Sequence, residues 1–526
     1  MGDMSPSESE TPDTGPTLEA IRDAIQVLER VAEERARLGD LSSEEMRRLV
    51  RAAGRIAVPD RMAKSQLRLA NRNREKTERQ KRKTADHALL SQTGIRMQHN
   101  PRQYRIACPP EPFEPDLPPP SDLADDEFIQ QLSDPRSCYI CKRDFQRVHK
   151  FYDSLCPDCA ALNWSKRQQT ADLSGRYALI TGARVKIGFQ AALMLLRAGS
   201  HVVVTTRFPV DATRRFLAEK DADAWKERLD VHGIDLRHTP SVEALADHLV
   251  ATLPQLDFLL NNACQTVRRP PGFYAHLMEA ERTGHALPAA AQRLLQSNEQ
   301  LKHVEQFDVG SSQSMPVTVH ESLAGIQRAA ELSQIPLVPE DHDHGENLFP
   351  QGKYDQDLQQ VDLRSINSWR LPLADVPTVE LLEVQLVNAI APFILNSRLK
   401  PLMLRTPTRD KHIVNVSAME GVFYRAYKTD KHPHTNMAKA ALNMLTRTSA
   451  QDYVADGIHM NSVDTGWITD EDPADIALRK QQEQDFYPPL DVIDAAARIC
   501  DPIFAGWLTG EHQWGQFFKD YQIANW

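Results

Sequence analysis

Arg176–Gly199 reads RYALITGARVKIGFQAALMLLRAG. A short apolar run, a turn with glycines at its two ends and a stretch with helical apolar spacing follow one another directly. That succession is a buried strand, a glycine turn and an amphipathic helix. Further runs have the strand character of the first: HVVVTTR at 201–207, DFLLNNA at 257–263, KHIVNVS at 411–417 and GIHMNSVDTG at 457–466. Strands alternating with helices make a doubly wound parallel sheet whose ligand lies beyond the carboxyl ends of the strands. The spacing therefore predicts an α/β, Rossmann-type domain over 171–526.

Upstream the chain changes character. Residues 1–16, rich in Ser, Glu, Pro and Thr, are expected to be disordered. Leu18, Ile21, Ile25, Leu28, Val31 and Ala32 recur at helical spacing. A second helix opens at LSSEEM, with Ser42 and Glu45 as a capping box and Leu41 and Met46 at the staple positions. RMAKSQLRLANRNREKTERQKRK at 61–83 is a basic helical run closing a helical region over 17–100. It reads either as a solvated helix with internal ion pairs or as a contact for phosphates or an acidic protein partner. A proline-rich linker is expected over 101–134.

CYICKRDFQRVHKFYDSLCPDC then sets Cys138 and Cys141 in one CxxC turn and Cys156 and Cys159 in another, with fourteen residues between. Two such turns supply the four thiolates that tetrahedral zinc prefers, so 135–170 reads as a structural Zn2+ knuckle. His149 inside the loop is assigned to the surface rather than to the metal. A closed four-thiolate site carries no catalysis.

The chain has 526 residues, a net charge of −10, 25% charged and 41% hydrophobic residues. That length suggests more than one folded unit, and the negative charge argues against wholesale nucleic-acid binding. No apolar run approaches the ~18 residues of a membrane span, and no secretory signal is visible. Seven cysteines, four in one cluster, suit a reducing, cytoplasmic compartment.

From about Asp172 onward the sequence resembles the short-chain dehydrogenase/reductase family. TGARVKIG is similar to its TGxxxGxG turn, with Gly182 and Gly188 in the outer positions and Lys186 replacing the middle glycine. LLNNACQT resembles its NNAG segment, with Asn261, Asn262 and Ala263 kept and Cys264 in place of glycine. The resemblance implies NAD(P)-linked hydride transfer, with Thr181, Gly182, Arg184, Lys186, Ile187, Gly188, Asn262 and Ala263 around the cofactor. It places Asp235 at the adenine, Asn388 and Lys439 in the active site and Thr469 at the nicotinamide carboxamide. Thr205, Thr206 and then Arg207 end the second strand without a carboxylate. With Arg184 nearby, this charge pattern favours the 2′-phosphate of NADP(H) over NAD.

HPHTNMAKAAL at 432–442 carries the family's lysine as Lys439 but Thr435 where a tyrosine is expected, and Ala418 stands where a serine is expected. Ser417, one residue early on a strand, faces the other way. An aliphatic hydroxyl is a poor acid near neutral pH, so Thr435 is no proton donor. Three readings stand: a relocated donor among Tyr424, Tyr427, His432 and His434; a water or substrate group; or a dinucleotide-binding sensor or scaffold without turnover. His432 sits where the enoyl-reductase branch places its tyrosine. An insertion over about 280–375 is either a lid or a surface excursion. Arg268 and Arg269 either clamp an anionic substrate or pair with acids, Arg364, Asn367 and Trp369 are further pocket candidates, and His342 and His344 are left without a metal. The small-molecule substrate is not specified, and a homo-oligomer is compatible with the sequence.

Overall fold

The computed structural model describes residues 16–99, 105–106, 128–283, 287–303, 323–343, 345–355, 357, 359–425 and 428–526. The expectations for residues 1–15, for most of the linker and for Tyr427 and His344 lie outside these. The chain divides into two compact units after Thr84.

The first unit is helical. Helix α1 spans Leu18–Glu33, α2 spans Ser43–Ala57, and α3, Arg61–Leu90, runs past the end of the unit. The capping box forms as its spacing predicts. Glu45 N–H donates to Ser42 Oγ at 3.3 Å, and Ser42 N–H donates to Glu45 Oε2 at 2.9 Å. Neither α1 nor α2 buries a residue.

The second unit takes in the end of α3 and a short helix, Gly94–His99, before an antiparallel hairpin, β1 (Phe128–Ser137) and β2 (Asp144–His149), followed by α4 (Pro157–Arg167). Strand β1 starts at Phe128, so the boundary drawn at residue 134 from proline content falls inside a strand. His149 is a correction: it is buried, its Nδ1 accepts the amides of Phe151 and Tyr152, and it packs among Phe128, Tyr152 and Trp164. Burial pushes its pKa down to about 4, so it stays neutral.

The α/β part is built on β3 (Tyr177–Thr181), α5 (Lys186–Arg197), β4 (His201–Thr206), β5 (Leu229–Gly233), α6 (Thr239–Thr252), β6 (Phe258–Asn261) and α7 (Pro271–Arg282). It continues through α8 (Thr378–Arg398), β7 (Lys411–Ser417), α9 (Pro433–Ala455), β8 (Ile458–Asp464), α10 (Val492–Thr509), β9 (Phe517–Lys519) and β10 (Gln522–Ala524). Among the described residues the central sheet has eight strands in the order β10-β9-β8-β7-β6-β3-β4-β5, parallel except for the β9–β10 pair. The order reverses between β3 and β6, and that switch opens the crevice in which doubly wound sheets bind ligands.

Both faces of the sheet are covered. Leu193 and Leu196 of α5 pack with Ile499 and Ile503 of α10 on one face. Leu245 and Leu249 of α6 pack with Leu395 of α8 and Tyr453 of α9 on the other. Strand β5, LDVHG, is not legible as an apolar run because His232 and Asp230 interrupt it, yet His232 is buried. Helix α8 is long and apolar enough to cross a membrane by length and composition, with a mean hydropathy of 1.5. Glu380, Glu383, Gln385 and Asn388 interrupt it, so it is no unbroken apolar run of ~18 residues. Here α8 carries buried Glu380, Glu383 and Asn388 and packs on α6 and α9.

Candidate functional site

The glycine turn is shaped by its backbone. Gly182 has φ +68°, and a Cβ there would lie 2.8 Å from Ala263 Cα. At Gly188 a Cβ would meet Asn262 Nδ2 at 2.4 Å and Gly182 O at 2.5 Å. Asn262 Nδ2 donates to the carbonyls of Thr181 and Gly182 at 2.9 and 3.1 Å, and Ala263 N–H donates to Thr181 Oγ1 at 3.0 Å. The turn and the NNA segment thus lock together, and Thr181 is a buried part of that lock. Lys186 keeps φ +55°, the left-handed conformation a glycine adopts freely, although it carries a side chain.

A cavity of about 800 Å³ opens from this turn. Gly182, Arg184, Lys186, Ile187, Gly188, Arg207, Asp235, Asn262, Ala263 and Thr469 all line it, as does Cys264. So do residues of the insertion, among them Asp355, Asp357, Gln359, Asp362, Arg364 and Asn367. The insertion is therefore part of the cavity wall in the described residues.

Its attachment explains the arginines after the NNA segment. Arg268 pairs with buried Asp341 through Nη1 and Nη2 at 2.5 and 2.7 Å and with Glu383 at 2.9 Å; Arg269 pairs with Asp362. Arg237 shares Glu383 at 2.5 Å and also holds Asp235. Of the two alternatives for Arg268 and Arg269, pairing with acids describes the structure, and the acids belong to the insertion and to α8.

The charge around the end of β4 is uneven. Arg184 is engaged by Asp211 at 2.7 Å, which removes it as a free partner for a phosphate. Arg207 has its Nη2 donating to Tyr274 hydroxyl at 2.7 Å and lies over that ring at 4.7 Å. It thus remains the cation at the end of β4. Asp235, opposed by burial but held by Arg237, stays below the usual carboxylate range. Lys186 Nζ lies 3.9 Å from Asp357. Burial works against this ammonium, but Glu471, Asp357 and Asp355 outweigh it and raise its pKa. Burial lifts Asp357 to about 6 despite Lys186. Thr469 donates its hydroxyl to Glu471 at 2.6 Å rather than presenting it free.

The four residues expected to carry catalysis do not line the cavity. Lys439 is buried and donates to Val416 O at 2.7 Å. Asn388 sits in a π-helical turn, Leu386–Ile390, where such turns often mark functional positions. Its amide exchanges hydrogen bonds with the Gln265 backbone, N–H to Oδ1 at 2.7 Å and Nδ2 to O at 3.2 Å. Thr435 is 2% exposed and its hydroxyl has no hydrogen-bond partner among the described residues. His432, the N-cap of α9 at φ +44°, stacks on Trp369 with ring centres 3.8 Å apart. Ser417 Oγ donates to Asn443 at 2.6 Å, away from the cavity, as the strand alternation requires. Of the other candidate donors, His434 is buried beside Glu380 and Tyr424 is half exposed beside Met419.

The cysteines do come together. One Sγ from each of Cys138, Cys141, Cys156 and Cys159 lies within 4.8 Å of the others, and Cys141 and Cys156 are 3.5 Å apart. Tetrahedral sulfurs about 2.3 Å from zinc would be separated by about 3.8 Å, so the set suits that ion. The Arg143 guanidinium holds the Cys141 thiol down to about 6.

A doubly wound sheet whose glycine turn opens on the switch crevice defines a dinucleotide-binding α/β protein. The family models agree: short chain dehydrogenase matches residues 176–285, and Enoyl-(Acyl carrier protein) reductase matches 365–488. The chain belongs to the short-chain dehydrogenase/reductase family of oxidoreductases, and the gap between the matched segments is the insertion. Uncharacterized protein R665 of Acanthamoeba polyphaga mimivirus is 31% identical over 380 residues, 70% of this chain and 71% of its own length. Retinol dehydrogenase 12 of Bos taurus is 34% identical over 119 residues, 22% of this chain and 37% of that one. The structure of the Pseudomonas aeruginosa RhlG/NADP active-site complex is 17% identical and covers 66% of this chain and 95% of that one, at a TM-score of 0.40.

Proposed function

We propose that the protein is an NADP(H)-linked oxidoreductase that transfers hydride to or from a carbonyl or activated alkene. The observation that carries this reading is Arg207 at the end of β4, facing the cavity of the glycine turn with no carboxylate in its place. A 2′-phosphate answers that cation, and the amides of the turn and the α5 N-terminus answer the pyrophosphate. When bound, NADPH would supply the hydride. Ile468 and Thr469 would flank its nicotinamide, Arg207 and Asp235 its adenosine. The four thiolates would hold a structural zinc ion, as expected for a chain of a reducing, cytoplasmic compartment.

A second reading, a dinucleotide-binding sensor or scaffold without turnover, is favoured by the burial of Thr435 and the absence of Lys439, Asn388 and His432 from the cavity wall. One pair of measurements separates the two. Calorimetry with NADPH should show binding under both readings, whereas loss of cofactor absorbance with a panel of ketones, aldehydes and enones occurs only in the enzyme. Binding without turnover across the panel would leave the second reading standing, and no binding of NADPH or NADH would remove both.

A further inference from the structure

The loop that would flank the nicotinamide is held by the cysteine module. Tyr139 lies between Cys138 and Cys141 in the first knuckle, and its hydroxyl accepts the Trp467 N–H at 3.1 Å. The next residue, Ile468, is 7% exposed and shares a hydrophobic core with Cys138, Cys156 and Cys159. Ile187, from the glycine turn, packs against the same core. Ile187 and Ile468 also line the cavity. Gly466 has φ +78°, and a Cβ there would lie 3.8 Å from the Tyr139 hydroxyl and 2.5 Å from the end of the Leu490 side chain, which belongs to the same core.

We propose that the four cysteines bind one Zn2+ and that this ion, through Tyr139 and the shared core, fixes the loop Gly466–Thr469 and so controls cofactor binding. This rests on the reading of the cavity as a dinucleotide site. The physical chain is short. A tetrahedral S4 site fixes the turn Cys138–Cys141, the turn fixes the Tyr139 ring, and the ring supplies the acceptor for the loop amide. Without metal, four thiols with no common ligand release the turn, because a closed zinc site contributes folding energy directly. Tyr139 is thus a positioning residue, remote from any reacting atom.

The test uses the full chain. Metal analysis of purified protein should find about one zinc per chain. Hydrogen exchange followed by mass spectrometry then reads the peptide containing Trp467, with the β3 and β4 peptides as internal reference. Chelation should speed exchange at Trp467 about tenfold while the reference peptides hold, and added Zn2+ should reverse it. Tyr139→Phe, which keeps all four thiols, should retain its zinc yet speed the same exchange and weaken NADPH by about fivefold. Zinc absent from the purified protein, or a Trp467 peptide indifferent to both chelation and Tyr139→Phe, overturns the proposal. Should chelation unfold the whole chain, the zinc-loaded Tyr139→Phe variant decides by itself. Failure of the unaltered protein to bind NADPH removes the dinucleotide reading and the control of cofactor binding with it, whereas exchange at Trp467 still reads the coupling of metal to loop without cofactor.

Discussion

Lys186 and Asp357 face each other across the mouth of the glycine turn, their charged atoms 3.9 Å apart. A lysine holds φ +55° in the turn, and a half-buried carboxylate from the insertion meets it. A pyrophosphate at the turn amides would sit beside that carboxylate. Because burial lifts Asp357 to about 6, it is neutral below that pH and charged above it. NADPH affinity should therefore fall as pH rises from 5 to 7, and Asp357→Asn should flatten that dependence in calorimetric titrations. Lys186→Gly relieves the backbone but exposes the pyrophosphate to Asp355 and Asp357, so it should weaken NADPH unless combined with Asp357→Asn.

Arg207→Ala should weaken NADPH by about tenfold or more and leave NADH nearly unchanged, since a charge-assisted contact contributes about 1.5–3 kcal/mol. Equal losses for both cofactors would assign Arg207 to packing on Tyr274 rather than to the 2′-phosphate.

Arg268→Ala would strand Asp341, which is fully buried, and half of the Glu383 network. Breaking a buried pair from one side costs about 3–5 kcal/mol, so the variant should unfold at markedly lower denaturant. Adding Asp341→Asn should recover part of that loss.

Stability should fall in acid for a stated reason. Burial pushes His232 down to about 3 and His412 well below its ordinary value, so both are neutral in the fold. The unfolded chain protonates them below about 6.5 and binds more protons there than the native state does. Their contribution is present above about 6.5 and is lost as pH falls toward 3. Urea midpoints at pH 7 and pH 5 should differ less in His232→Leu than in the unaltered protein.

Much of this molecule is legible in its sequence because the signals are local. The glycine turn, the strand HVVVTT, the Ser42–Glu45 box and the paired CxxC knuckles each announce themselves within a few residues. What stayed hidden depends on distance along the chain. Nothing near Arg268 says that its partners are Asp341 and Glu383, and nothing near Arg184 says that Asp211 takes its charge. The insertion reads as polar and shapeless, yet Asp357 and Gln359 form cavity wall because basic residues elsewhere recruit them. Strand β5 was missed because LDVHG lacks an apolar run, its histidine being buried by tertiary packing alone. Lys439 and Asn388 stand out by resemblance and spacing, but spacing does not say whether their side chains reach the cavity.

A Cβ on Gly421 would lie 2.7 Å from the Lys439 carbonyl, and Thr435, four residues earlier in α9, is walled in on every side. Thr435→Tyr would force a ring into filled space, at about 1–3 kcal/mol of overpacking. A phenol at this position therefore comes with a less stable protein, and one substitution alone does not install it.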